Sequence, residues 1–190
     1  MAATSLIVEE AGSGRVEIFP LAVDQEVLFG LFRLLFEQHW HEIAFGPCVQ
    51  GAVFEIAVDG PPRTINIFDG YLTVDFGRWH FHLCIGENKG GPRSPTPPAL
   101  AAHRRTARAE LYRGLGPDGV PQNWGLRLFN GGGEQQVTVF LPNPLLTAEM
   151  KPARPPDFTR LALWDKLRAE YLGLPPDPLD RTARGFPCSG

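Results

Sequence analysis

The sequence is short of three features, each of which would indicate a class of protein: cysteine, long apolar stretches and excess positive charge. Its three cysteines, Cys48, Cys84 and Cys188, are too few and of the wrong parity for a disulfide framework. Sparse cysteine is typical of a reducing compartment, so we expect a cytoplasmic protein. No apolar stretch approaches the roughly 18 residues of a membrane-spanning helix, and the first residues lack the pattern of a signal peptide. We therefore expect no membrane partner.

The charge balance disfavours nucleic acid as a partner. The formal net charge is −3, whereas nucleic-acid binding normally needs a concentrated basic face. The one basic run, HRRTARAELYR at 103–113, is interpreted as the solvated face of a helix, with binding of an anionic ligand as the alternative.

The remaining composition is that of one globular domain. Hydrophobic residues make up 43% of the 190 residues and charged residues 21%, which is enough apolar material for a single core. We predict one domain over 1–172. Residues 173–190 show no periodicity, so we predict an extended or disordered tail there.

Helices are predicted at three places. The first covers 23–38, is capped by Asp24 and is apolar around most of its circumference, which indicates a buried helix. The second follows Thr96-Pro97 and is expected to continue to about Arg113, and the third begins after a cap at Asp157.

Strands dominate the middle of the chain. Four alternating segments, 52–58, 63–68, 71–76 and 79–85, are joined by the short links DGPP, DG and GR, which predicts an antiparallel meander. A further strand is expected at 15–21, and a hairpin at 123–141 across NGGGE. The order of elements predicts an α+β fold: a single antiparallel sheet with helices packed on one face and a polar pocket on the other.

The short links also predict the register of the meander. If Gly77-Arg78 is a turn, Asp75 lies opposite His80 and Thr73 opposite His82. The same reasoning places Asn66 opposite Thr73 and opposite Glu55 on the first strand. One face of the sheet is then apolar and the other is polar.

The polar face has an unusual composition for a surface exposed to water. It carries short hydrogen-bonding side chains and imidazoles, no lysine or arginine, and Cys84, a residue type that usually avoids the surface. We interpret it as the lining of a covered pocket; the alternative is an ordinary solvated face.

Two histidines on this face suggest a metal site. His80 and His82 alternate on one strand, so both imidazoles project in the same direction and can bind one ion. Cys84 is a candidate third ligand, and Asp75 or Glu55 a candidate carboxylate ligand or general base. The two imidazoles with a carboxylate suit a divalent metal ion, zinc or iron. Over three residues, His80-Phe81-His82 resembles the strand-borne pairs of carbonic anhydrases and cupins, a likeness too short to identify a family.

A second pair, His39 and His41, provides further candidate metal ligands. It lies at the end of the first predicted helix and reaches the other pair only if the chain turns around the rim of the sheet. The alternative is that histidine at this position stabilises the helix C-terminus.

These features predict a metal-dependent enzyme that acts on a small organic molecule, such as a hydrolase, a lyase or a non-haem iron oxygenase. Two other functions compete with it. One is a small-ligand or tetrapyrrole-binding protein without catalysis, and the other is a structural or interaction domain.

Overall fold

A computed structural model describes residues 5–49 and 51–185. Cys188 and the last part of the predicted tail lie outside these residues. The described chain contains thirteen strands: β1 Leu6–Glu10, β2 Gly14–Leu21, β3 Ala44–Gly46, β4 Cys48–Val49, β5 Ala52–Val53, β6 Thr64–Phe68, β7 Tyr71–Asp75, β8 His80–Cys84, β9 Gly90–Gly91, β10 Ser94–Pro95, β11 Thr106–Leu115, β12 Pro121–Asn130 and β13 Gln135–Phe140.

Helices are fewer than strands. The α-helices are α1 Gln25–Arg33, α2 Pro98–Arg104 and α3 Ala162–Leu172, and α1 continues as a π-helix over Leu34–Gln38. Two 3₁₀ turns cover Phe158–Leu161 and Pro178–Arg181. In the described part of the chain, no helix is long and apolar enough to cross a membrane.

The predicted single sheet is wrong. Over the residues that the structure describes, the fold is mostly β, with 38% strand and 22% helix, and the strands form four separate sheets. The largest has six strands in the order β1-β2-β11-β12-β13-β3, and β6-β7-β8 form a three-stranded sheet of their own. The chain therefore does not have the predicted layer of helices on one face of one sheet.

The chain divides into two compact units. The first unit consists of Met1–Pro20, Glu110–Leu126 and Phe140–Gly190, and the second of Leu21–Ala109 and Arg127–Val139. All the histidines and carboxylates named above as site candidates belong to the second unit.

The predicted register of β6, β7 and β8 is confirmed. Asp75 pairs with His80 and Thr73 pairs with both His82 and Asn66, in two antiparallel ladders. The first of the two turns has positive φ at both central residues, Asp69 at 48° and Gly70 at 78°. This is the geometry of a type I′ turn, whose twist matches that of the strands it joins.

The first strand of the predicted meander, at 52–58, is not part of this sheet. Within 52–58 only β5 is a strand, and it pairs with β4. Ile56 forms an isolated bridge with Phe45, and Phe54 N–H donates to the carbonyl of Pro47. These bonds join the segment to residues that precede it in the chain, so Glu55 is not opposite Asn66.

The first helix has the predicted position and role. The Asp24 carboxylate accepts hydrogen bonds from the Glu26 and Val27 amides, which caps the helix as expected. Phe36 in the π-helix is fully buried, and its ring lies 5.5 Å from that of Phe81 on β8. The helix therefore packs on the apolar face of the three-stranded sheet.

The second predicted helix is mostly wrong. Helix α2 ends at Arg104, and Arg105 has ψ 141°, an extended conformation that ends the helix. Strand β11 then begins at Thr106, so the basic run at 103–113 lies largely on a strand and is not the face of a helix. The predicted hairpin at 123–141 is confirmed as β12 and β13, which are neighbours in the six-stranded sheet.

The C-terminal part begins as predicted. The Asp157 side chain accepts from the Thr159 amide at the start of the 3₁₀ turn that leads into α3. Helix α3 ends at Gly173, which takes the left-handed conformation (φ 66°) common at helix C-termini.

Candidate functional site

The predicted histidine pair lies on an open part of the three-stranded sheet. The rings of His80 and His82 have centroids 4.8 Å apart, and both residues are exposed. The Thr73 hydroxyl on β7 is hydrogen-bonded to Nδ1 of His82 at 2.8 Å. This bond fixes the orientation of one imidazole and leaves its Nε2 unobstructed by that contact.

Aromatic packing on the opposite face supports the strand that carries the pair. Phe81, between the two histidines, has its ring centroid 5.2 Å from that of Phe45 and 5.5 Å from that of Phe36. Phe76 and Trp79, at the turn before β8, stack with centroids 4.6 Å apart. Because these rings pack together, the backbone beneath the two imidazoles is firmly held.

The two predicted carboxylates differ in their surroundings. Asp75 lies opposite His80, as predicted, but its Oδ1 accepts the Gly77 amide at 2.6 Å and so stabilises the turn. Glu55 lies on the exposed segment between β5 and β6, outside the three-stranded sheet. The expected row of Glu55, Asn66, Thr73 and His82 is therefore one residue shorter than predicted.

Cys84 lies opposite Tyr71 at the covered end of the polar face. It is 3% exposed, and burial raises the pKa of its thiol, so the thiol stays protonated at neutral pH. A metal ligand must be the thiolate, and a raised pKa opposes its formation. Cys84 is thus better suited to packing than to coordination.

The second histidine pair is engaged locally. Nδ1 of His39 lies 2.5 Å from Oε1 of Glu42, three residues later, in a partly buried hydrogen bond. The His41 ring packs edge-on against that of Trp40, with centroids 5.5 Å apart. His39 and His41 therefore have separate neighbours.

The predicted covered pocket is an open surface, and this part of the fold prediction is wrong. Thr64, Asn66 and both histidines of β8 are exposed, and Phe68 at the end of β6 is 81% exposed. Over residues 5–49 and 51–185, no group of three or more His, Cys, Asp or Glu side chains has the geometry to hold a metal ion. The site consists of two imidazoles and a threonine that orients one of them.

Sequence reasoning missed a polar cluster in the first unit. Arg113, which ends the basic run, is only 3% exposed and pairs with Glu17 and Asp180. Asp180 is fully buried, although it belongs to the predicted tail. The anionic-ligand alternative for the basic run was the only sequence signal that pointed to this cluster. A separate cavity of about 430 Å³ in the same unit is lined by Asp118, Val120, Gln122, Leu145 and residues 182–185.

Comparison with known proteins gives a family and no activity. None of the curated proteins matches the chain. The sequence profile of DUF7676, described as a family of unknown function, matches residues 5–173, which is most of the chain and includes both histidine pairs. The chain therefore belongs to the DUF7676 family.

Proposed function

We propose that this chain binds a divalent transition-metal ion, such as zinc or iron, through His80 and His82, and that the ion's other coordination positions take a ligand from outside the chain. The observation that supports the proposal is the 4.8 Å separation of the two imidazole rings on one strand, with His82 oriented by Thr73. The function is then the binding of a metal ion, as the sequence suggested, without the catalysis predicted there.

The separation of the rings suits a shared ion. Zinc binds imidazole nitrogen at about 2.0–2.1 Å, so an ion bound by both rings lies roughly midway between them. Histidine ligands in metal sites usually use their second nitrogen for a hydrogen bond that fixes the ring, as Nδ1 of His82 does with Thr73. Nε2 of His82 is then the atom that would coordinate.

The small number of protein ligands favours binding by an accessible and rather weak site. Structural zinc sites with four ligands bind with about 10–16 kcal/mol. If two imidazoles supply about half of that, the expected Kd lies between about 200 μM and about 1 μM. An exposed ion of this kind can accept a carboxylate or imidazole from a small molecule or from a partner protein.

The exposed surroundings favour a metal ion over a tetrapyrrole. A tetrapyrrole has large apolar faces that gain free energy when they are buried. The imidazoles of His80 and His82 instead project from a face that they share with Thr64 and Asn66, all of them exposed. Such a surface suits a small hydrated ion.

Calorimetric titration with zinc tests the proposal. Protein without an affinity tag should bind about one zinc ion per chain, and His80→Ala with His82→Ala should abolish that binding. The matched control is His39→Ala with His41→Ala, which removes the same number of imidazoles and should leave the affinity unchanged. Equal loss in both double variants, or no binding by the unchanged chain at millimolar zinc, would refute the proposal.

A further inference from the structure

The first unit contains a buried arrangement of hydrogen-bond donors that the proposed metal site does not use. Two guanidinium groups and two indoles form it, and we call it the arginine–tryptophan cradle: Arg113, Arg168, Trp124 and Trp164. These four residues are between 0% and 5% exposed. Buried cationic and N–H groups cost free energy unless acceptors satisfy them. Glu17 pairs with Nε and Nη2 of Arg113, so Nη1 of Arg113, the two indole N–H groups and Arg168 are the donors left for an anionic occupant.

The carboxylate of Asp180 occupies the cradle. It accepts hydrogen bonds from the indole N–H groups of Trp124 and Trp164 and from Nη1 of Arg113, each at 2.8 Å. Hydrogen bonds to an ionised carboxylate have this length, so all three donors are well placed to bind Asp180.

A second acid from the same short segment contributes to the binding. Oδ2 of Asp177 lies 2.9 Å from Nη2 of Arg113, while Oδ1 accepts the Leu179 amide and caps the 3₁₀ turn. Both carboxylates contact the guanidinium of Arg113, so Asp177 and Asp180 project to the same side of the segment. Pro178 presets the first residue of the turn.

The segment also makes a contact of opposite charge. Arg181 is paired with Asp165 on α3. Residues 177–181, with the sequence DPLDR, therefore present two acids to two arginines and one arginine to an acid. This pattern identifies a peptide, whereas a simple anion would use only part of it.

The cradle has donors that its occupant does not satisfy. Nε and Nη1 of Arg168 are buried, and no described residue accepts a hydrogen bond from either. The nearest carboxylate oxygens, on Asp180 and Asp177, lie at 3.7 and 3.9 Å from this guanidinium, beyond hydrogen-bond distance. Arg168 is held in place by the Phe19 ring, 5.3 Å from its Cζ. A peptide with an additional acceptor would satisfy a donor that the chain's own segment leaves unpaired.

The cradle lies within the range matched by the family profile, and its occupant lies outside that range. All four cradle residues lie inside 5–173, the range by which the chain belongs to DUF7676, whereas Asp177 and Asp180 lie beyond it. The receptor thus belongs to the family's part of the chain, and the occupant is on a segment attached after it.

We propose that the arginine–tryptophan cradle is a recognition site for acidic peptides of the pattern Asp-x-x-Asp, and that residues 177–181 occupy it as an attached, displaceable ligand. A partner protein with such a segment competes with the chain's own copy. The attached segment has a high effective concentration, so a free peptide binds only when the segment is released.

The experiment uses the full chain with a site-specific protease sequence inserted between Pro175 and Pro176. After cleavage, a fluorescent peptide of residues 176–185 is added in hundredfold excess for a day, and its binding is followed by anisotropy. We expect the cleaved protein to bind the peptide and the uncleaved protein not to bind it. A peptide with Asp180→Asn should bind about a hundredfold more weakly, because it leaves buried charged donors poorly satisfied. The matched control is a peptide with Leu179→Ala, which keeps both acids and should bind within about tenfold of the original.

A second measurement applies if the cleaved protein does not stay folded. If cleavage unfolds the protein, adding the peptide should restore its near-ultraviolet circular dichroism, and the Asp180→Asn peptide should not. The proposal is overturned if a folded, cleaved chain does not exchange its segment for the peptide, if the unfolded form is not rescued, or if the Asp180→Asn peptide binds as well as the original.

Discussion

Replacing Asp180 by alanine should be one of the most damaging single changes in the first unit. The substitution removes the acceptor of Trp124, Trp164 and Arg113 while the three donors stay buried. Three buried donors left without an acceptor cost about 1–3 kcal/mol each. Because Arg113 keeps Glu17 and Asp177 as counter-charges, we expect a total loss of about 3–5 kcal/mol. Domains have a free energy of unfolding of about 5–15 kcal/mol, so this loss is about a fifth of it or more.

Equilibrium unfolding in urea measures this loss, and Asp177→Ala is the matched control. The Asp177 side chain is 27% exposed, so water can replace part of its contact with Arg113. We expect it to cost about 1 kcal/mol, the upper end of the range for exposed ion pairs. A cost of less than about 1 kcal/mol for Asp180→Ala, or equal destabilisation of the two variants, would show that Asp180 does not hold the buried donors as described.

Three further predictions concern the second unit. Phe36→Ala should lower the free energy of unfolding by about 3–5 kcal/mol, because it leaves a cavity between Phe45 and Phe81. The control, Phe68→Ala at an 81% exposed position, should change it by no more than about 0.5 kcal/mol. Similar losses for the two variants in urea unfolding would contradict this prediction. Alkylation followed by peptide mapping should modify Cys48 well before Cys84 in the native protein, since burial raises the pKa of the Cys84 thiol, and equal rates would show that Cys84 is accessible. Hydrogen bonds from the Lys89 backbone amide, the Gly90 backbone amide and the Asn88 side chain hold the pKa of Asp69 below its usual range. These contacts therefore stabilise the loop at neutral pH, and they are lost as the pH falls through the lowered pKa. The protection of the Lys89 and Gly90 amides from hydrogen exchange, relative to the intrinsic rate at each pH, should fall there. In Asp69→Ala it should be low already at neutral pH, and unchanged protection in the variant would count against the contact.

The register of the histidine strand could be predicted because local chemistry determines it. A two-residue link with Asp69 and Gly70 favours a type I′ turn, and the alternation of side chains then assigns every position to a face. No contact distant in sequence is needed for this step. The prediction therefore held for Thr73, Asp75, His80 and His82.

The segment at 52–58 shows where the same reasoning fails. It alternates as a strand does, but the link that follows contains two prolines and does not impose a hairpin. Gly46 decides its partner instead: a Cβ at this residue would lie 2.2 Å from the carbonyl oxygen of Phe54, so only glycine allows the two chains to approach so closely. Such a close approach is a tertiary feature that periodicity does not reveal.

The burial of Asp180 could not be predicted for a related reason. Its donors lie 67, 56 and 16 residues earlier in the chain, and its own segment has no periodicity. A polar segment without periodicity stays exposed unless other parts of the chain offer it hydrogen-bond donors. Whether it is buried therefore depends on residues distant in sequence. Arg113 was visible only as one member of a basic run.

The polar sheet face lacks lysine and arginine although it does not line a covered pocket. The fifteen residues of β6, β7 and β8 include no lysine or arginine, yet the face is open at its histidines. The absence of cations therefore does not require a cover. It does mean that no fixed positive charge on these strands opposes a cation beside His80 and His82, where a like charge at 4 Å would cost about 1 kcal/mol per unit charge even in water. An exposed imidazole pair on strands without basic residues is electrostatically suited to a metal ion from solution, and this is the property that the zinc titration measures.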